Sequence, residues 1–175
     1  MSTSAADLTL LLFRLTLATI FIAHGVRHMW PKGRINGTAG WFEGLGMRPP
    51  LVHAWLASFT EVGSGVLLAL GLLTPFGGAG VVGVMLVAWI ANHAKNGFFI
   101  FNKGEGYEYV MTLTMCGVVA AVLGPGHWSI DDKVGLLRLV GWTGFWIAAG
   151  AGGGGAALLL ATSWRPSKKP APTSS

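Results

Sequence analysis

Charge is scarce in this sequence. Asp, Glu, Lys and Arg make up 11% of its 175 residues, where an ordinary soluble domain carries roughly 25%, so there is too little charge to coat a water-soluble globule. Cysteine is nearly absent. Cys116 stands alone, which excludes an intramolecular disulfide, a disulfide scaffold and a thiolate-rich metal site. The first apolar run lacks a basic leader and a small-residue cleavage site, and is expected to stay as a helix rather than to leave as a signal peptide. No C-x-x-C-H appears, so c-type haem has no anchor. The net charge is +5, but the basic residues are scattered between apolar runs and along the tail instead of forming one patch, which argues against a nucleic-acid partner.

Apolar residues and glycine abound, at 52% and 27 residues. A membrane-spanning helix takes about 20 residues, and apolar runs fall at 8–29, 52–73, 76–93, 107–123 and 136–162. They are separated by a Gly/Pro-rich loop at 31–50 with an interfacial piece around Trp41, Phe42 and Leu45, by Pro75, by a turn-rich stretch at 95–106, and by Gly124-Pro125-Gly126. The expected fold is all-α, an integral membrane four-helix bundle over residues 1–132 with a fifth, Gly-rich transmembrane helix at 133–163 and a disordered cytoplasmic tail at 164–175. Within that last helix Gly150 and Gly154, four apart, allow close helix approach in lipid.

Lys and Arg orient the chain. With the N-terminus on side A, that side holds Lys133 and Arg138, whereas side B holds Arg27, Lys32, Arg34, Arg48, Lys95, Lys103, Arg165, Lys168 and Lys169. This nine-to-two excess makes side B cytoplasmic under the positive-inside rule and leaves the N-terminus outside.

An ionisable side chain in a spanning segment costs about 2.5–3.5 kcal/mol even on lenient insertion scales, and turns toward the bundle interior or a wet cavity. This chain spends Arg14, His24, Glu61 and His93 there. With a rise of about 1.5 Å per residue, His24 and Glu61 fall at similar depth in the side-B third. The third run ends there in Asn92 and His93, Asn96 follows in the loop, and the fourth run begins at Tyr107, Glu108 and Tyr109. The convergence predicts a cavity opening toward side B, with Arg14, His24, Glu61, His93, Asn96, Tyr107, Glu108 and Tyr109 as ligand-binding candidates. His24, Glu61 and His93 are the candidates for catalytic proton transfer, with Arg14 as counter-ion to Glu61.

A structural reading competes. Arg14 with Glu61 also makes sense as an ion pair locking two helices, His24 and His93 as satisfied interior histidines, Tyr107 and Tyr109 as interface anchors, and Arg27 and His28 as side chains snorkelling to headgroups. Cys116 reads as a packed thiol. Two histidines on separate helices can ligate haem, and His24, His93, Glu61 and Glu108 are chemically suitable for zinc. Unequal depth speaks against the first and the lack of short ligand spacing against the second, so no metal is expected.

Several stretches together resemble the DoxX family of small bacterial membrane proteins: Arg14 with His24-Gly25 and a basic residue soon after, W-F-x-x-L-G at 41–46, the acid in TEVGSGVLLALGLLT, NGFF at 96–99, GYEY at 106–109 and GPGxxSxD at 124–131. The resemblance covers roughly residues 8–132 and implies a four-helix unit in the bacterial cytoplasmic membrane, loosely tied to redox metabolism. Relatives include a subunit of a thiosulfate:quinone oxidoreductase and proteins linked to thiol or oxidative-stress systems. The expected function is thus a redox-associated membrane subunit whose polar site takes a quinone or a small thiol, with electrons brought by a protein partner. The alternatives are a non-catalytic scaffold or assembly subunit docking a partner or a second copy, and, with no inverted repeat in view to support it, a small transporter or lipid-binding protein.

Overall fold

The computed structural model describes residues 3–31 and 34–166. Most of the tail expected to be disordered, residues 167–175, lies outside them. Among the described residues every regular element is helical. α1 is Thr3–Met29, α2 Arg34–Gly44, α3 Pro50–Leu70 and α4 Thr74–Ala88. α4 continues through a π-helical turn, Trp89–His93, and a 3-10 turn, Ala94–Asn96, into one apolar rod of 23 residues. α5 is Glu108–Leu123, α6 is the single turn Ile130–Lys133, and α7 (Trp142–Ile147), a π-helical stretch (Ala148–Gly154) and α8 (Gly155–Ser163) make a second continuous rod of 22 residues. Among the described residues four apolar helices are long enough to cross a bilayer, which makes this an all-α, multi-pass membrane protein.

The boundaries shift from those expected. α5 has only 16 residues, about 24 Å, less than the roughly 30 Å of a bilayer core. The C-terminal rod begins at Trp142 rather than 136, because Leu137–Leu139 form a 3-10 turn and Gly141 takes a positive φ of 70°. The interfacial piece is a full helix, α2.

The register of α1 against α3 follows from sequence spacing. Buried positions on α1 include Arg14, Ala18, Phe21 and Gly25, and those on α3 include Ala54, Ser58, Glu61, Gly65 and Leu68. These steps of three and four residues draw one stripe down each helix. The approach is close: a methyl on Gly25 would sit 2.7 Å from the Ser58 carbonyl oxygen, and one on Gly65 would sit 3.0 Å from that of Ala18. α4 stands behind, packed against α3, α5 and the C-terminal rod.

Both ends of the bundle are tied. At the N-terminal end, Asp131 accepts from the N–H groups of Leu73 (2.7 Å) and Thr74 (2.9 Å), capping α4 where its first four N–H groups lack helical partners. Asp7 accepts from the His127 N–H at 2.8 Å. At the opposite end, Arg48 N–H donates to Ser163 O and Arg165 N–H to Gly46 O, while the Trp164 indole N–H reaches Leu45 O at 2.9 Å. The first and last described helices therefore start and finish at opposite ends of the bundle.

Candidate functional site: a cavity inside the membrane-spanning bundle

A cavity of about 550 Å³ lies between α1, α3, α4 and the C-terminal rod, under the loop that follows α2. That volume falls in the range of small-molecule sites, roughly 300–1,000 Å³. Its wall is mostly apolar, with Phe42, Met47, Leu56, Val84, Met85 and Leu159 among its members. Into this wall the helices set His24, His28, His53, Thr60, Glu61, Asn92, His93 and Tyr109, and the loop before α5 sets Glu105.

Glu61 is the focus. It is 4% exposed, and its Oε2 lies 3.0 Å from His28 Nδ1 at ion-pair distance. Neither atom is aligned for a hydrogen bond there, nor has it another hydrogen-bond partner among the described residues. A buried carboxylate oxygen without a hydrogen-bond partner is costly in a low-dielectric interior, so a ligand that brings a donor is favoured there. The charges of Glu61 and Glu105 both act on Tyr109.

His53 stands two turns before Glu61 on the same face of α3. Its Nε2 lies 3.0 Å from the Arg48 carbonyl oxygen, which requires Nε2 to carry the proton, and its buried Nδ1 is left as an acceptor with no partner among the described residues. His93 is different. Nδ1 faces Glu105 O at 3.0 Å and Nε2 faces the Asn92 amide at 3.2 Å, so the neutral Nδ1–H tautomer satisfies both nitrogens. The π-helical turn that ends at His93 widens the helix at this point, a feature common at functional sites.

The expected pairing of Glu61 with Arg14 or His24 is replaced by one with His28. Arg14 is fully buried and donates to Leu68 O (2.8 Å), Ala69 O (3.1 Å) and Trp128 O (2.7 Å). The α1–α3 register sets it level with the C-terminal end of α3, seven residues from Glu61, about 10 Å along the helix. His24 borders the cavity but is exposed, off the α1 stripe. His28, expected in the headgroups, continues that stripe from Gly25 and meets Glu61 instead.

Asn96, Tyr107 and Glu108 also lie off the cavity. Asn96 braces its loop through Asn92 O and Glu105 O, Tyr107 stacks on Trp89 with centroids 5.5 Å apart, and Glu108 accepts from the Ile100 N–H at 2.8 Å. Of the eight sequence-based candidates, the structure gathers His24, Glu61, His93 and Tyr109 around one space. Among the described residues no three His, Cys, Asp or Glu side chains converge as a metal ion requires.

Residues 9–94 match the family model described as DoxX. The chain carries a DoxX domain. No curated protein and no solved structure matches it. The DoxX match spans α1 to the end of the α4 rod and so includes His24, His28, His53, Glu61 and His93. NGFF, GYEY and GPGHWSID, which the sequence resemblance also used, lie after it, as does the C-terminal rod. The DoxX segment thus supplies most of the polar wall, and the later chain supplies Glu105, Tyr109 and the apolar wall of Gly152, Ala156 and Leu159.

Sequence reasoning missed His28 and His53. Both were legible as spacing: His28 is three residues past Gly25, and His53 is eight before Glu61, each on the inward stripe of its helix.

Proposed function

We propose that this DoxX protein is a membrane subunit that holds the head group of a quinone in the cavity and exchanges protons with it through Glu61 and His28. One observation carries the reading: a buried carboxylate with an imidazole at 3.0 Å in a cavity whose wall is mostly apolar. Reduction of a quinone takes two electrons and two protons, each carbonyl oxygen becoming a hydroxyl. Glu61 with His28 can hand over protons where water is sparse, and His53 Nδ1 can accept from a quinol hydroxyl. The apolar lining favours a quinone over a small hydrophilic thiol. The chain contributes no electron carrier, so a protein partner brings the electrons. Residues 1–132 act as the core unit, with 133–163 added to it. The membrane is the bacterial cytoplasmic membrane, with the polar end of the cavity toward the cytoplasm, as the excess of Lys and Arg there requires.

The test is quinone binding to the purified protein in lipid nanodiscs, read by quenching of tryptophan fluorescence, since Trp41 borders the cavity. Glu61→Gln keeps the volume and removes the charge, and His28→Gln removes the imidazole. Hydrogen bonds to charged groups contribute about 1.5–3 kcal/mol, so each variant is expected to weaken binding by tenfold or more with little change in melting temperature. Binding that is absent in the wild-type protein, or unchanged in both variants, refutes the proposal and leaves a non-catalytic scaffold.

A further inference from the structure

The cavity is not closed on all sides. α3 and the C-terminal rod both pack on α4 but have no substantial contact with each other. The rod is pinned to α4 at Gly152, where a methyl would lie 2.5 Å from Ala79 O, and the backbone bonds around Trp164 tie its far end to the loop after α2. Between these two fixed points, about 18 Å apart along the helix, residues of both walls border the cavity and are also exposed on the outside of the bundle. They are Leu56 on α3 and Gly155 on the rod, while Ala151 and, on α4, Phe76 share both properties just beyond the Gly152 contact. The outside at this level is lipid, and every one of these residues is apolar.

We infer that this gap is a lateral portal and that the ligand is an amphiphile with a long hydrocarbon tail, its head beside Glu61 and its tail running out between α3 and the C-terminal rod into the bilayer. This deepens the reading above and rests on it for the head group. A polar, water-soluble ligand has its way in at another edge of the cavity, where His24 and Glu105 are exposed, whereas this opening, with Thr60 beside it, offers mainly apolar side chains and glycine to a hydrocarbon tail. The C-terminal rod thereby gains a role that its composition alone hides. Gly155 borders the cavity with open space where a side chain would go, so the glycine keeps the portal clear. Gly150 on the same rod also has open space but does not border the cavity.

The experiment compares two probes with one head group, a tailless benzoquinone and the same ring with a ten-carbon tail, against the full chain in nanodiscs. Affinities are expressed relative to each probe's concentration in the bilayer. The wild-type protein is expected to bind the tailed probe at least tenfold more tightly. Gly155→Leu should abolish that preference, leave the tailless affinity within about twofold and not lower the melting temperature, since leucine favours helix over glycine. Gly150→Leu should keep the preference. A Gly155→Leu protein that still prefers the tailed probe, or an equal loss in Gly150→Leu, overturns the portal while the quinone site stands. Failure of the wild-type protein to bind either probe overturns both. A ten-carbon fatty acid that binds in place of the quinones, with the same sensitivity to Gly155→Leu, upholds the portal and overturns the quinone head.

Discussion

Arg14 offers the sharpest test of the architecture, because the expectation from sequence and the observed geometry predict opposite results. Its guanidinium donates to three carbonyls on two separate segments, Leu68 and Ala69 at the end of α3 and Trp128 in the loop before α6. Its charge also interacts with that of Asp131, whose carboxylate caps α4. Arg14→Met keeps much of the stem and removes the charge and the donors. Breaking a buried charged network costs about 3–5 kcal/mol, and freed carbonyls that stay dry add to the loss. The expected effect is therefore about 3–5 kcal/mol, read as unfolding of the detergent-solubilised protein under increasing denaturant. The decisive measurement is a pair of double-mutant cycles. Sites further apart than about 7–10 Å add to within roughly 0.5 kcal/mol, so Arg14→Met with Glu61→Gln should be additive, whereas Arg14→Met with Asp131→Asn should couple by about 1 kcal/mol or more. Rescue of Arg14→Met by Glu61→Gln, as an ion pair between them would give, refutes the register described here.

Cysteines placed singly at Ser4 and Ser174 in a Cys116→Ser background should react with impermeant reagents from opposite faces of the membrane; reaction from one face refutes the orientation. Gly117 on α5 would put a methyl 2.9 Å from Gly78 O and 2.8 Å from Val81, so Gly117→Ala should destabilise by about 1–3 kcal/mol through overpacking. Gly150→Ala, with open space around it, should instead stabilise by up to about 1 kcal/mol, and reversal of that order in a thermal melt refutes the packing. The exposed His127 titrates above its ordinary 6.5 because Asp132 accepts its hydrogen bond and lends its charge. A group raised in the folded state stabilises below its unfolded value and loses that effect as pH rises through the folded one, so the His127–Asp132 contact should weaken on alkaline titration. In Asp132→Asn the His127 NMR titration should move down, and an unmoved midpoint contradicts the contact.

Much of the site was written in helix spacing. Glu61 as an inward acid, His93 at the end of its helix and Tyr109 near the start of the next were all visible as polar residues in apolar runs, which a membrane interior tolerates only when they face inward. The sequence also carried the finer choice of His28 over His24. The steps 14, 18, 21, 25 and 28 trace one face, and His24 sits about 100° away from Gly25 around the helix. Depth counting without this angular check paired Glu61 with His24 or Arg14, where the structure pairs it with His28.

The amino-acid sequence by itself determined the class of molecule, since scarce charge and apolar runs of spanning length leave no other environment in which the backbone and side chains are both satisfied. It also set which helix faces turn inward. Only the tertiary structure decided the partners. The α1–α3 register follows from how closely Gly25 and Gly65 let two backbones approach, and it sends Arg14 to the ends of α3 and the 124–131 loop rather than to Glu61. The opening beside α4 likewise belongs to no segment. It exists because α3 and the C-terminal rod, more than 70 residues apart in the sequence, pack on one helix without closing on each other, and such an arrangement depends on the packing of distant surfaces that no local pattern encodes.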